Sequence, residues 1–270
     1  MARLHGEVVV AALPRGWVEE YVRAMLDHAA SLTLDDDGWI QGDEDLADVT
    51  LVEGNHLTAG ARYQRHTDPA DGAAGNGTTS EMVLTSWERR REVSADITTW
   101  HPSNDRTTWT VRLRNPDALE TVVVGGAHHA GKRYHRLSWI IRIDCRRWWR
   151  LAEARGSRGE NAPVTAQLRH RLAQGRLEVS PAAADGGTWR LGLTLAVRGR
   201  GWLRPFAAVG LLFGRRALEN KFREMIEEAA EGWNEEISRL RELDPREADL
   251  WLAQLQAMRS QLDRRNEEDD

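Results

Sequence analysis

The chain predicts an α+β fold in which an antiparallel sheet grips a long C-terminal helix, with an extra helix after it. Three observations carry this. Residues Trp189–Val197 alternate apolar and polar side chains without a break. They run almost directly into a stretch whose apolar positions recur at three and four as far as Leu243. Between them and the N-terminus lies a succession of short β-like segments separated by turn residues.

Residues 6–12 read as a strand, and residues 14–31 as a helix whose stripe comprises Trp17, Val18, Tyr21, Val22, Met25, Leu26 and Ala29. The acidic stretch Asp35–Asp48 is a loop by composition. Val49–Val52 and Leu57–His66 form a hairpin around Glu53-Gly54-Asn55, the second strand placing Leu57, Ala59, Ala61 and Tyr63 on one face. Thr67–Thr79 is a long turn. Further strands are expected at Glu81–Glu88, Val93–Trp100, Thr107–Arg114, Leu119–Val124, Arg133–Asp144 and Val164–Leu172. Residues 145–160, rich in Arg and Trp, read as a short helix followed by a loop, and Ala173-Gln174-Gly175 as a bulge or tight turn.

In the final strand Trp189, Leu191, Leu193, Leu195 and Val197 face inward, and Gly199 and Gly201 end it. The long helix carries Leu218, Phe222, Met225, Ile226, Ala229, Trp233, Ile237 and Leu240 on one side, with Glu219/Arg223 and Glu235/Arg239 as i,i+4 pairs on the other. A start near Pro205 keeps Arg215 and Arg216 out of the first turn, where they would oppose the helix dipole. Asp244-Pro245-Arg246-Glu247 opens the last helix. The expected division is therefore a domain over 1–243 with an enlarged β region, and an appended helix and tail over 244–270.

A formal charge of -5 and a pI near 6.0 argue against a nucleic-acid partner held by phosphate neutralisation. Cys145 is the only cysteine, which removes an intramolecular disulfide and a cysteine-rich zinc site and fits a cytoplasmic location. No stretch approaches the roughly 18 apolar residues of a membrane span. Trp202–Gly214 is apolar enough for peripheral membrane contact, but the first turns of a buried helix have the same composition. No cofactor is implied, and the oligomeric state is open.

The Gly187-Thr188 strand start, the alternation to Val197, and the Gly199/Gly201 turn into a helix, preceded by a strand, an early helix and many strands, resemble the START/Bet v 1-like superfamily (SRPBCC, polyketide cyclase-like). The resemblance covers residues 6–13 and 163–243, with the middle matching only as several strands. It implies a helix-grip fold, a curved antiparallel sheet wrapped around the long helix, enclosing an apolar cavity for a lipid, polyketide or other hydrophobic or aromatic molecule.

On that expectation the ligand would meet Trp87, Trp109, Trp139, Trp189, Leu191, Leu193, Leu195, Phe213, Phe222 and Ile226, although the tryptophans serve equally as core filler on the helix. With 12 Trp against 3 Phe and 3 Tyr, indoles supply most of the aromatic surface. His101 and His170 are weak candidates for acid–base chemistry, which leaves a cyclase- or dehydratase-like enzyme as an alternative, with an interaction module built on 245–263 as another. His128-His129 in a Gly-rich loop lacks the ligand set of a metal site. Whether any reaction is catalysed is left open by the sequence.

Overall fold

The computed structural model describes residues 2–67, 78–101, 103, 105–129, 136–154, 161–200 and 215–242. The chain opens with β1 (Ala2–Ala11) and α1 (Arg15–Ser31), then a two-stranded ribbon of β2 (Thr33–Leu34) and β3 (Ile40–Gln41). An unbroken meander follows: β4 (Val49–Glu53), β5 (Arg62–Thr67), β6 (Thr78–Glu88), β7 (Glu92–Trp100), β8 (Arg106–Arg114), β9 (Thr121–His129) and β10 (Leu137–Asp144). After α2 (Cys145–Glu153) come β11 (Val164–His170), β12 (Ala173–Ala183), β13 (Thr188–Gly199) and α3 (Arg215–Glu242).

One eleven-stranded sheet results, in the order β1-β13-β12-β11-β10-β9-β8-β7-β6-β5-β4, with every pairing antiparallel. The strands pair because each carries a period-two apolar face, and the register sets those faces side by side. Leu191 lies opposite Val8, Leu113 opposite Val122, and Ile141 opposite both Val124 and Ala166.

The sheet also curls. Val93 of β7 and Trp189 of β13 belong to one buried cluster with Val22 and Leu26 of α1, Trp149 of α2 and Ala230 of α3. Six strand spacings of about 4.8 Å would hold β7 and β13 roughly 29 Å apart in a flat sheet, too far to share a core beneath one helix. Register shifts between Leu84 and Ser86 and between Leu51 and Glu53 supply local bends.

This architecture corrects the expected fold class. Among the described residues 51% is strand and 28% helix, and a single long C-terminal helix at the centre of a gripping sheet is not seen there. Instead α3 lies along one margin: Phe222 and Ile226 bury against Leu4, with Val8, Leu193 and Leu195 around them. Period-two patterning identifies an apolar face but not the number of strands sharing it, and eleven strands are too broad a surface for one helix to organise. The expected start near Pro205 and the appended helix over 245–263 lie outside the described residues.

Local differences have equally physical causes. Leu57–Ala61 is loop rather than strand, because Gly54 and Gly60 adopt φ of +83° and +91° and Leu57 itself sits at +53°. The turn after β11 falls at Arg171-Leu172, so Ala173-Gln174-Gly175 opens β12 instead of bulging. His128 and His129 end strand β9 rather than occupying a loop, and consecutive strand residues face opposite ways.

Each margin of the sheet is bonded locally to side elements. At β1, the Ala11 amide donates to Asn234 Oδ1 at 2.6 Å and Trp233 Nε1 donates to the Ala11 carbonyl at 2.9 Å. At β4, the Leu51 amide donates to the Gly38 carbonyl at 2.9 Å, and Trp39 bridges to Thr50. Gly6 lets α3 come close to β1, since a Cβ there would overlap Ile226 Cδ1 and stand 3.3 Å from the Phe222 ring. Gly6→Val is expected to cost about 1–3 kcal/mol through overpacking, read as a lowered denaturation midpoint.

In α1, the Trp17 and Tyr21 rings stack 5.3 Å apart, and burial pushes the Tyr21 phenol up to about 12 from 10.0. The unfolded chain then releases this proton near pH 10 while the folded chain keeps it. The Tyr21 contribution to stability is thus intact below pH 10 and lost as pH rises from 10 towards 12. Tyr21→Phe should flatten that part of the alkaline denaturation curve.

Candidate functional site

The register arranges the concave face in transverse rows. One row reads Tyr63, Met82, Ile97, Trp109, Gly126, Trp139 and Leu168 from β5 to β11, apolar apart from the buried phenol. The row one step nearer the opposite strand ends reads Arg65, Ser80, Thr99, Thr107 and His128. Its members bond to one another or to near neighbours: Ser80 Oγ to Thr99 Oγ1 at 3.0 Å, and Thr107 Oγ1 to His128 Nδ1 at 3.1 Å and to His101 Nε2 at 3.2 Å. An apolar floor therefore ends in a rim of hydroxyls and imidazoles.

Two hollows interrupt the packing on this face. The first, of about 470 Å³, lies where α1 crosses β4–β7, with Met25, Leu26 and Ala29 from the helix facing Tyr63, Met82 and Leu84 from the sheet. The second, of about 420 Å³, lies over β10–β13 against Trp139, Leu168, Leu177 and Leu195, where Leu168 is 45% exposed. Between them stands a Trp-Gly-Trp arrangement. Trp109 and Trp139 flank Gly126 in register and meet edge to face with centroids 5.2 Å apart. The Trp139 indole lies over Gly126, where a Cβ would stand 2.9 Å from its ring atoms.

The expected ligand residues are divided among different surroundings. Trp87 lines the first hollow, and Trp139 and Leu195 line the second. Trp189 is core: it is 8% exposed and held between Trp148 and Trp149 of α2, at 5.3 and 5.8 Å. Leu191 packs against that core, while Leu193, Phe222 and Ile226 fill the contact of α3 with β1. Phe213 lies outside the described residues. His170 lines the second hollow, its Nδ1 accepting from the Leu172 amide at 3.3 Å, and His101 stands at the rim beside Thr107.

Sequence reasoning did not single out the loop at the mouth of the first hollow. His56 and Leu57 both line it. Leu57 holds a left-handed backbone that costs an ordinary residue roughly 1–2 kcal/mol, and its amide donates to Tyr63 Oη at 2.9 Å. Tyr63 Oη also bonds to His56 Nδ1 at 2.9 Å, with the rings edge to face at 5.8 Å. Tyr63 is 3% exposed, and burial holds its phenol above the usual range, partly countered by the Leu57 amide. The available signal was Gly54 and Gly60 flanking the segment, which mark left-handed turns rather than strand interior.

No protein-family model matches the chain, and no curated protein matches it. Among the described residues, no helix is long and apolar enough to cross a membrane.

Gly126→Ala is expected to drive the Trp139 ring off its seat, weakening the near-ultraviolet circular dichroism of the Trp109/Trp139 pair and lowering stability by about 1–3 kcal/mol.

Proposed function

We propose that this protein binds an apolar small molecule on the concave face of its sheet, seated in the hollow between α1 and β4–β7. The observation that carries the reading is a space of about 470 Å³ lined mainly by aliphatic and aromatic side chains, with His56, Gln64, Arg65, Ser80 and Glu81 as its polar members, at a helix-on-sheet crossing whose surroundings are otherwise packed. At about 30 Å³ per water-sized group this volume takes roughly fifteen such groups, the scale of a medium-length acyl chain or a two-ring compound. A dry apolar space of this kind favours hydrocarbon over water. The apolar floor continues through Ile97, Trp109 and Trp139 toward the second hollow, so a longer ligand would extend across the strands.

The site differs in position from the cavity expected against the C-terminal helix. Its helical wall is α1, and the stripe that builds this wall is the one read from residues 14–31. Arg89 ties α1 to the sheet through Asp27 and holds Asp117 at 3.3 Å, which fixes the helical wall of the hollow.

Titration with the neutral fluorophore N-phenyl-1-naphthylamine tests the reading. Saturable enhancement is expected, and Ala29→Phe, which projects a ring into the hollow, should weaken it about tenfold, equivalent to about 1.4 kcal/mol, with little change in thermal midpoint. Absence of saturable enhancement, or an unchanged affinity in the folded variant, overturns it.

A further inference from the structure

His56, which lines the first hollow, carries a polar atom whose bonding is incomplete. His56 Nε2 is enclosed and has no hydrogen-bond partner among the described residues. Three of the other polar side chains around the hollow are engaged: Arg65 with Asp48 at 2.7 Å and the Asp45 carbonyl at 3.1 Å, Ser80 with Thr99 at 3.0 Å, and Glu81 with Arg62 at 3.9 Å.

The bonds around Tyr63 determine which kind of group is left over. Tyr63 Oη accepts from the Leu57 amide, and the arrangement that also satisfies its own proton is donation to His56 Nδ1, 2.9 Å away. An imidazole accepting at Nδ1 carries its proton at Nε2. The chain Leu57 N–H to Tyr63 O–H to His56 thus ends in an N–H donor, and leaving such a donor unpaired in an apolar enclosure is unfavourable.

We propose that His56 Nε2–H anchors the ligand by donating a hydrogen bond to a neutral acceptor oxygen, so that the favoured class is an apolar body bearing a ketone, aldehyde or ester carbonyl. A neutral oxygen suits the site better than a carboxylate. The cation lining the hollow, Arg65, is already paired with Asp48, and burying an anion against a single neutral N–H is costly. Tyr63 is a positioning residue: it fixes the tautomer without being required to touch the ligand. The strained Leu57 backbone places the amide that starts the chain. This inference rests on the binding reading above and adds its chemical selectivity.

Displacement of N-phenyl-1-naphthylamine from the full chain by 2-nonanone, nonane and nonanoate separates the possibilities. The ketone should compete about three- to tenfold better than the alkane, the scale of one net hydrogen bond, and better than the carboxylate. His56→Phe should abolish the ketone-over-alkane preference, read as the ratio of the two displacement constants within the same variant, and His56→Gln, whose amide can still donate, should restore part of it. Long-range ¹H–¹⁵N spectra of the wild-type protein should show His56 as the Nε2–H tautomer, with Nε2 shifting on ketone addition. Equal competition by ketone and alkane, a preference that survives His56→Phe, or an Nδ1–H tautomer overturns the anchor. A preference for nonanoate overturns the neutral-acceptor class. Failure of the wild-type chain to take up the fluorophore overturns the binding reading itself, and the anchor with it.

Discussion

The architecture depends on covering one apolar face that runs through all eleven strands. Antiparallel pairing carries the period-two pattern from strand to strand in register, so every strand adds to the same side, from Leu51 and Val49 at one margin to Leu4, Val8 and Val10 at the other. Curling the sheet reduces the exposed face, and three helices cover part of what remains. Each is anchored locally: α2 is capped by Asp144, whose carboxylate accepts from the Arg147 amide at 2.9 Å, α1 is held by Arg89, and α3 is fitted onto Gly6. A cylinder laid on a curled surface touches it along a line, and the hollow beneath α1 is where the two shapes diverge.

Polarity varies along the strands as well as across the face. Near α1 and α2 the concave side is mainly aliphatic and aromatic, whereas three to five residues further along β6–β9 it turns to Ser80, Thr99, Thr107 and His128. Among the floor residues, Gly126 has an unusual role. By having no side chain it lets aromatic groups two strands apart meet directly, which joins the two hollows by a continuous aromatic surface.

Much of the local structure was legible in the residues. The inward parity of Trp189–Val197, the stripe from Trp17 to Ala29 and most strands of the meander follow from periodicities of 2 and 3.6, which depend only on backbone geometry. What covers an apolar face is not encoded in its period, so the sequence equally suggested a sheet organised around the helix that follows β13. Residues 57–61 show the limit most clearly. Leu57, Ala59, Ala61 and Tyr63 alternate as a strand would, yet the left-handed turns at Gly54 and Gly60 place Leu57 and His56 over a cavity mouth. The tryptophans were recognised as large apolar groups, but dividing them between core and hollow requires knowing that α2 brings Trp148 and Trp149 onto Trp189.

The fastening of Ala11 by Trp233 and Asn234 has a consequence for how molecules of this chain behave toward one another. A bare outer strand offers amides and carbonyls to any passing β-segment, and a sheet this wide would be a ready template for runaway stacking. Side chains from a helix more than two hundred residues away occupy both backbone groups of Ala11, so docking of that helix blocks this end of the strand to a further β-segment. Colloidal behaviour and native packing are thereby coupled at that end: loosening the helix would bare the Ala11 amide and carbonyl.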